Sequence, residues 1–147
     1  MMSGVVAQAV DLARLTLQSH GIAYDVETDD RLAIDYGSAR ATILVRQTGE
    51  SSVFRMSACV LDEVFVDGEE ELLLLRSLNE RNRTLSYGKF FYHPTAGEIH
   101  VEYEILADDV QDSEFMNALT SVTQLADDHD DVLRGELGRG RRAAHRR

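Results

Sequence analysis

Ser77-Leu78-Asn79-Glu80-Arg81-Asn82, then Gly88-Lys89-Phe90-Phe91-Tyr92-His93, then Glu98-Ile99-His100-Val101-Glu102 is the stretch that decides the fold. Its first part closes a leucine-rich helix. The start is marked by Asp67, with Glu70 three residues on as a capping-box-like pair and Glu69 to Glu71 where the macrodipole favours anions. At about 100° per residue, Leu72, Leu74, Leu75, Leu78 and Leu85 share one face with Asn79 and Asn82. Both asparagines are therefore expected to be buried or half-buried, their amides tied to neighbouring backbone. Leu73 falls almost opposite the stripe. A lone exposed leucine is ordinary, but this is the place to expect a subunit contact.

The second and third parts form a hairpin that can be read to the register. With Pro94-Thr95-Ala96-Gly97 as the loop, His93 faces Glu98, Tyr92 faces Ile99, Phe91 faces His100, Phe90 faces Val101 and Lys89 faces Glu102. The core face then carries Phe90, Tyr92, Ile99, Val101, Tyr103 and Ile105. The outer face pairs Lys89 with Glu102 and His93 with Glu98 by charge. Phe91 beside His93 and His100 makes the outer face half apolar, which predicts cover by another element or a second chain.

Outward from this stretch, Ser3 caps a first helix over residues 4–19, with Val6, Ala9, Val10, Ala13 and Leu17 at helical spacing and Gly21 as its terminator. Alternating runs at Tyr24 to Glu27, Leu32 to Tyr36, Ala41 to Val45 and Phe54 to Val60, with turn residues between, predict an antiparallel meander. A last helix is expected from about Asp112 to Leu133, on the stripe Phe115, Ala118, Leu119, Val122, Leu125, Ala126, His129, Val132 and Leu133. Gly135, Gly138 and Gly140 are expected to end the order. The fold class is thus α+β: helix, antiparallel strand meander, helix, β-hairpin, helix. Residues 1–137 form one domain, and residues 138–147 a basic, disordered tail.

Residues 1–138 hold all 26 acids and only 10 of the 15 Lys and Arg. An acidic body of this kind repels nucleic acid and anionic lipid and favours basic or apolar protein segments. Arg139, Arg141, Arg142, Arg146 and Arg147 in the tail argue the other way. The longest apolar runs are four residues, Ala58 to Leu61 and Leu72 to Leu75, so neither a signal peptide nor a membrane span is expected. Cys59 stands alone, which suits a reducing, cytoplasmic compartment.

No nucleotide-binding glycine loop, nucleophile elbow or H-E-x-x-H is present, so no catalytic residue is assigned. Asp127-Asp128-His129-Asp130-Asp131 points around a whole helix and lacks calcium-loop spacing; it reads as a solvated acidic helix end. His93, His100 and Glu98 could approach one another across the hairpin, but diagonal neighbours lie about 7 to 8 Å apart and a zinc site needs three or four converging ligands, so no site is expected there; Cys59, with no histidine near it in sequence, reads as a packed strand thiol. No metal or cofactor is expected.

The element order, together with Leu78-Asn79-x-x-Asn82 and Gly88-Lys89-Phe90, resembles the YbjN-like family, which is similar in fold to the type III secretion chaperones. The resemblance covers most of residues 5–134. It implies a small, acidic, often dimeric bacterial protein that binds a peptide segment of a partner, or regulates one, without catalysis. It carries over Asn79, Asn82 and Gly88 as structural signature positions. Leu73, Phe91, His93 and His100 are the candidate dimer or partner surface. The alternative reading places the working part in the arginine-rich tail, as a contact to anionic membrane or nucleic acid.

Overall fold

A computed structural model describes residues 2–145, with side-chain surroundings through Leu137. The chain runs α1 (Gly4–Ser19), β1 (Asp25–Thr28), β2 (Arg31–Tyr36), β3 (Ala39–Thr48), β4 (Ser51–Leu61), α2 (Gly68–Thr84), β5 (Lys89–His93), β6 (Glu98–Leu106) and α3 (Asp112–His145). The six strands make one sheet in the order β1-β2-β3-β4-β6-β5, antiparallel at every pair.

Local chemistry sets the element ends. The Ser3 hydroxyl accepts from the Val6 N–H at 3.3 Å to start α1. Gly21, at φ 68°, closes the helix: its N–H reaches the Gln18 carbonyl and the Ile22 N–H reaches that of Leu17. The hairpin register is the one read from the sequence at all five pairs.

α1 and α3 pack on one sheet face, over Ile43, Phe54, Met56, Ile99 and Val101, and the buried residues form a continuous cluster. Phe54 meets Phe115 edge-on at 5.2 Å between ring centroids, pinning the start of α3 to the middle of the sheet. The opposite face carries Arg40, Thr42, Arg55, Ser57, Glu102 and Glu104, and no helix covers it among the described residues.

α2 departs from the projection. It lies along the β5 edge, so it buries only the line Leu74 and Leu78, with Arg81, Asn82 and Leu85 half-buried. Leu72 and Leu75, expected inside, are exposed, and Asn79 is exposed too. A helix resting on a single edge strand meets a surface one strand wide, too narrow for the full projected stripe. Asp67 is the N-cap residue but makes no side-chain cap bond, leaving Glu69, Glu70 and Glu71 as the electrostatic complement of the helix start.

α3 is longer than expected, continuing through His145 past all three glycines. Glycine lowers helix stability by only about 1 kcal/mol relative to alanine, and it ends a helix only where the backbone turns left-handed. Gly135 does not, while Leu133, buried, and Leu137, half-buried, hold this part of α3 to the core and Glu136 pairs with Arg81 at 2.7 Å. Val132, placed on the core stripe by the projection, is exposed. The side chains of Arg139, Arg141, Arg142, Arg146 and Arg147, and with them the tail reading, lie outside the described residues.

The acidic run on α3 is only partly solvated. Asp127 accepts from the Ser38 N–H at 2.9 Å and the Ser38 hydroxyl at 2.7 Å, and that hydroxyl also lies 2.8 Å from Asp130. These contacts tie the β2–β3 turn to α3. The backbone bond first, then the hydroxyl, holds the Asp127 carboxyl below its ordinary range.

Candidate peptide-binding surface

The two edges of the sheet differ. At the β5 edge, the Asn82 amide donates to the Phe90 carbonyl at 2.9 Å, and the Phe90 N–H donates to Asn82 Oδ1 at 2.7 Å. One side chain thus stands in for a neighbouring strand. Lys89 turns away from Glu102, its opposite residue, and donates to the Asn82 and Leu85 carbonyls at the end of α2, at 3.1 and 2.8 Å. The expected Lys89–Glu102 pair does not form: Lys89 satisfies carbonyls left without partners at the helix end, and Glu102 contacts Arg55. Arg55 takes Glu104 at 2.8 Å and Glu102 at 3.5 Å instead. Gly88, at φ 79°, makes the turn into β5 where an added Cβ would lie 3.2 Å from Leu125.

The β1 edge is open. Among the described residues β1 pairs with β2 alone, its four residues are all exposed, and a register shift lies between Val26 and Thr28. Unpaired edge groups of this kind are a template for an added strand. Arg40 of β3 fastens β1 and β2 from the outer face, bridging Asp35 at 2.9 Å and Asp25 at 3.0 Å. On the helix side Tyr24 is held to α1, its hydroxyl accepting from Arg14 Nε at 3.1 Å and Gln18 Nε2 at 2.9 Å. The Arg14 bond above all lowers the Tyr24 pKa from its ordinary value.

Between β1, β2 and α3 lies a cleft of about 470 Å³. Ile22, Ile34, Met116 and Leu119 give it apolar walls, and Tyr24 and Asp25 stand at the edge-strand side. Its volume is within the range of small-ligand sites, enough for one or two side chains. Met116 adds an adaptable wall, since an unbranched thioether fits varied shapes.

The residues singled out in the sequence lie elsewhere. Leu73 is exposed and lines a smaller cleft of about 160 Å³ between α2 and α3, with Val66, Leu74 and Leu137. Leu72 and Leu75 are exposed too, on a different side of α2 from Leu73. Phe91, His93 and His100 gather on the outer face, with ring centroids 4.8 to 5.5 Å apart, and Phe91 is half-buried by those two rings. His93 does not pair with Glu98 as expected; Glu98 contacts His100 at 3.1 Å, because residues two apart on β6 point the same way. Missed by the sequence reading were the β1 edge and its cleft. Their only local signal was a short strand followed closely by a turn at Asp29 and Asp30.

An antiparallel sheet with helices on one face and an open edge strand is a frame that an added strand can join. The family described as T3SS (YopN, CesT) and YbjN peptide-binding chaperone 1 matches residues 7–146, and the chain belongs to it. A chain of the crystal structure of the ExsC–ExsE complex shares the fold with a TM-score of 0.60 at 18% identity, over 85% of this chain and 95% of that one. No curated protein matches the sequence. Among the described residues, no helix is long and apolar enough to cross a membrane.

Proposed function

We propose that this protein is a non-enzymatic chaperone or adaptor that holds an extended segment of a client protein on the open β1 edge. The observation that carries this reading is the asymmetry of the sheet. α2 lies along one edge, where Asn82 satisfies the Phe90 backbone, while β1 is an edge strand beside an apolar cleft. Main-chain pairing supplies affinity in such a mode, and alternate side chains of the client select it by what they place in the cleft. Membership of a peptide-binding chaperone family supports the same reading.

The working form is a homodimer in a reducing, cytoplasmic setting. Leu73, 58% exposed beside the cleft between α2 and α3, supports a self-contact, since an apolar side chain of this size on a small acidic protein is costly to leave in water. The single Cys59 suits a compartment without disulfides.

A pull-down of the amino-terminally tagged protein from its host's lysate, at low and high salt, tests the chaperone reading. One stoichiometric client that survives high salt is expected, with light scattering of the purified protein giving a dimer. An eluate containing only salt-labile nucleic acid or lipid would contradict it.

A further inference from the structure

We propose that Cys59, Glu98 and His100 form a binding site for a transition-metal dication of the zinc class on the outer face of the sheet. One ligand atom of each lies within 4.8 Å of the others. The β4–β6 register sets Cys59 directly opposite His100, and Glu98, two residues before His100, projects from the same face. Glu98 Oε2 is 4.0 Å from Cys59 Sγ, and Glu98 Oε1 is 3.1 Å from His100 Nε2. Ligand atoms around a tetrahedral zinc ion stand roughly 3.3 to 3.8 Å apart, given bonds of about 2.0 to 2.3 Å, so closure needs shifts of less than about 1 Å.

Two further features prepare the site. The strand pairing shifts register between Cys59 and Leu61, the kind of bulge that re-aims a side chain next to a site. Phe91 stacks on the His100 ring, 5.5 Å between centroids at 18°, which fixes the imidazole plane before any ion arrives. All three ligand residues are half-buried, so an ion is partly shielded yet reachable, and water takes the fourth position.

The donor set chooses the metal. Thiolate and imidazole favour zinc and its neighbours over magnesium and calcium, and one thiolate with one carboxylate neutralises a dication. Binding breaks the S–H bond, forms a metal–sulfur bond and releases one proton to solvent, with no change of oxidation state. Burial, then the Glu98 and Asp62 charges, pushes the free thiol up to about 11; the same negative field that opposes the thiolate attracts a cation. Bound there, the ion clips β4 to β6 on the face the helices leave bare.

The test is a cobalt(II) titration of the full-length protein at neutral pH, followed by displacement with zinc. Because the chain holds a single cysteine, a thiolate-to-cobalt charge-transfer band reports on Cys59 alone. The expected result is that band, with tetrahedral d–d absorption, saturating at one ion per chain and lost in Cys59→Ser. His100→Ala and Glu98→Gln should weaken zinc binding by more than the roughly tenfold lost with an outer-shell partner. Circular dichroism verifies that each variant is folded. No band at stoichiometric cobalt, or zinc binding unchanged in both Cys59→Ser and His100→Ala, would overturn the site and assign any bound ion to the acidic surface.

Discussion

Asn82 holds Phe90 by its backbone on both sides, giving one hydrogen bond of 2.9 Å and taking one of 2.7 Å. The pair satisfies the outward backbone groups of Phe90 at the β5 edge, which would otherwise be open to other chains. Asn82→Ala leaves a donor and an acceptor unpaired in a part-buried place, and a loss of about 1–3 kcal/mol is expected. Urea denaturation measures it, with increased self-association at high concentration as the companion sign of an opened edge.

Gly88 and Gly135 should respond to alanine in opposite directions. Gly88 sits at φ 79° with Leu125 3.2 Å from where a Cβ would go, so Gly88→Ala is expected to cost about 1–3 kcal/mol. Gly135 lies within α3, and an added Cβ meets nothing within 4 Å. Gly135→Ala is expected to stabilise by about 0.5–1 kcal/mol. Thermal unfolding of the two variants, side by side, checks both signs.

Leu73→Lys, alone or combined with Leu75→Lys on the other side of α2, is expected to convert the proposed dimer to monomer without unfolding it. The two side chains are 58% and 44% exposed, and surface changes of this kind usually move monomer stability by no more than about 0.5 kcal/mol. Light scattering across a concentration series reads the mass. An unchanged dimer would move the self-contact to another surface.

Asp127 links acid stability to the β2–β3 turn. Its carboxyl is held below the ordinary value of 3.8 by the Ser38 N–H and hydroxyl, so the folded state binds the proton less readily than the unfolded state. The contribution is therefore fully present above 3.8 and is lost as pH falls through the lower folded-state value. Asp127→Asn should be less stable than the parent at neutral pH, and the gap should narrow in the acid range. Denaturation midpoints of the two proteins across that range provide the measurement.

What could be read from the sequence was local. A four-residue loop and alternating side chains fix a hairpin, so every pair from Lys89–Glu102 to His93–Glu98 was legible, as were the ends of α1. The partners of Lys89 and His93 were not, because cross-strand charge competes with helix-end carbonyls and ring contacts that come from other elements. The burial of α2 was over-read for a similar reason: helical projection gives a direction but not the width of the surface being met. Cys59 opposite His100 depends on β4 pairing with β6 across α2 and β5, a long-range choice that no spacing in the sequence announces. The free β1 edge follows from the same sheet order, so the candidate site was the least visible part of the molecule.

The claim that clients bind along β1 is tested most directly by panning a library of linear peptides on the full-length protein and titrating a selected peptide into two variants. Val26→Pro removes a backbone donor from the exposed edge strand, and Met116→Lys places a charge in the apolar cleft. The expected result is that both lose the peptide by tenfold or more, about 1.4 kcal/mol, while Leu106→Ser on the outer face binds as the parent does. Affinity unchanged in Val26→Pro and Met116→Lys, in folded protein, would contradict the account.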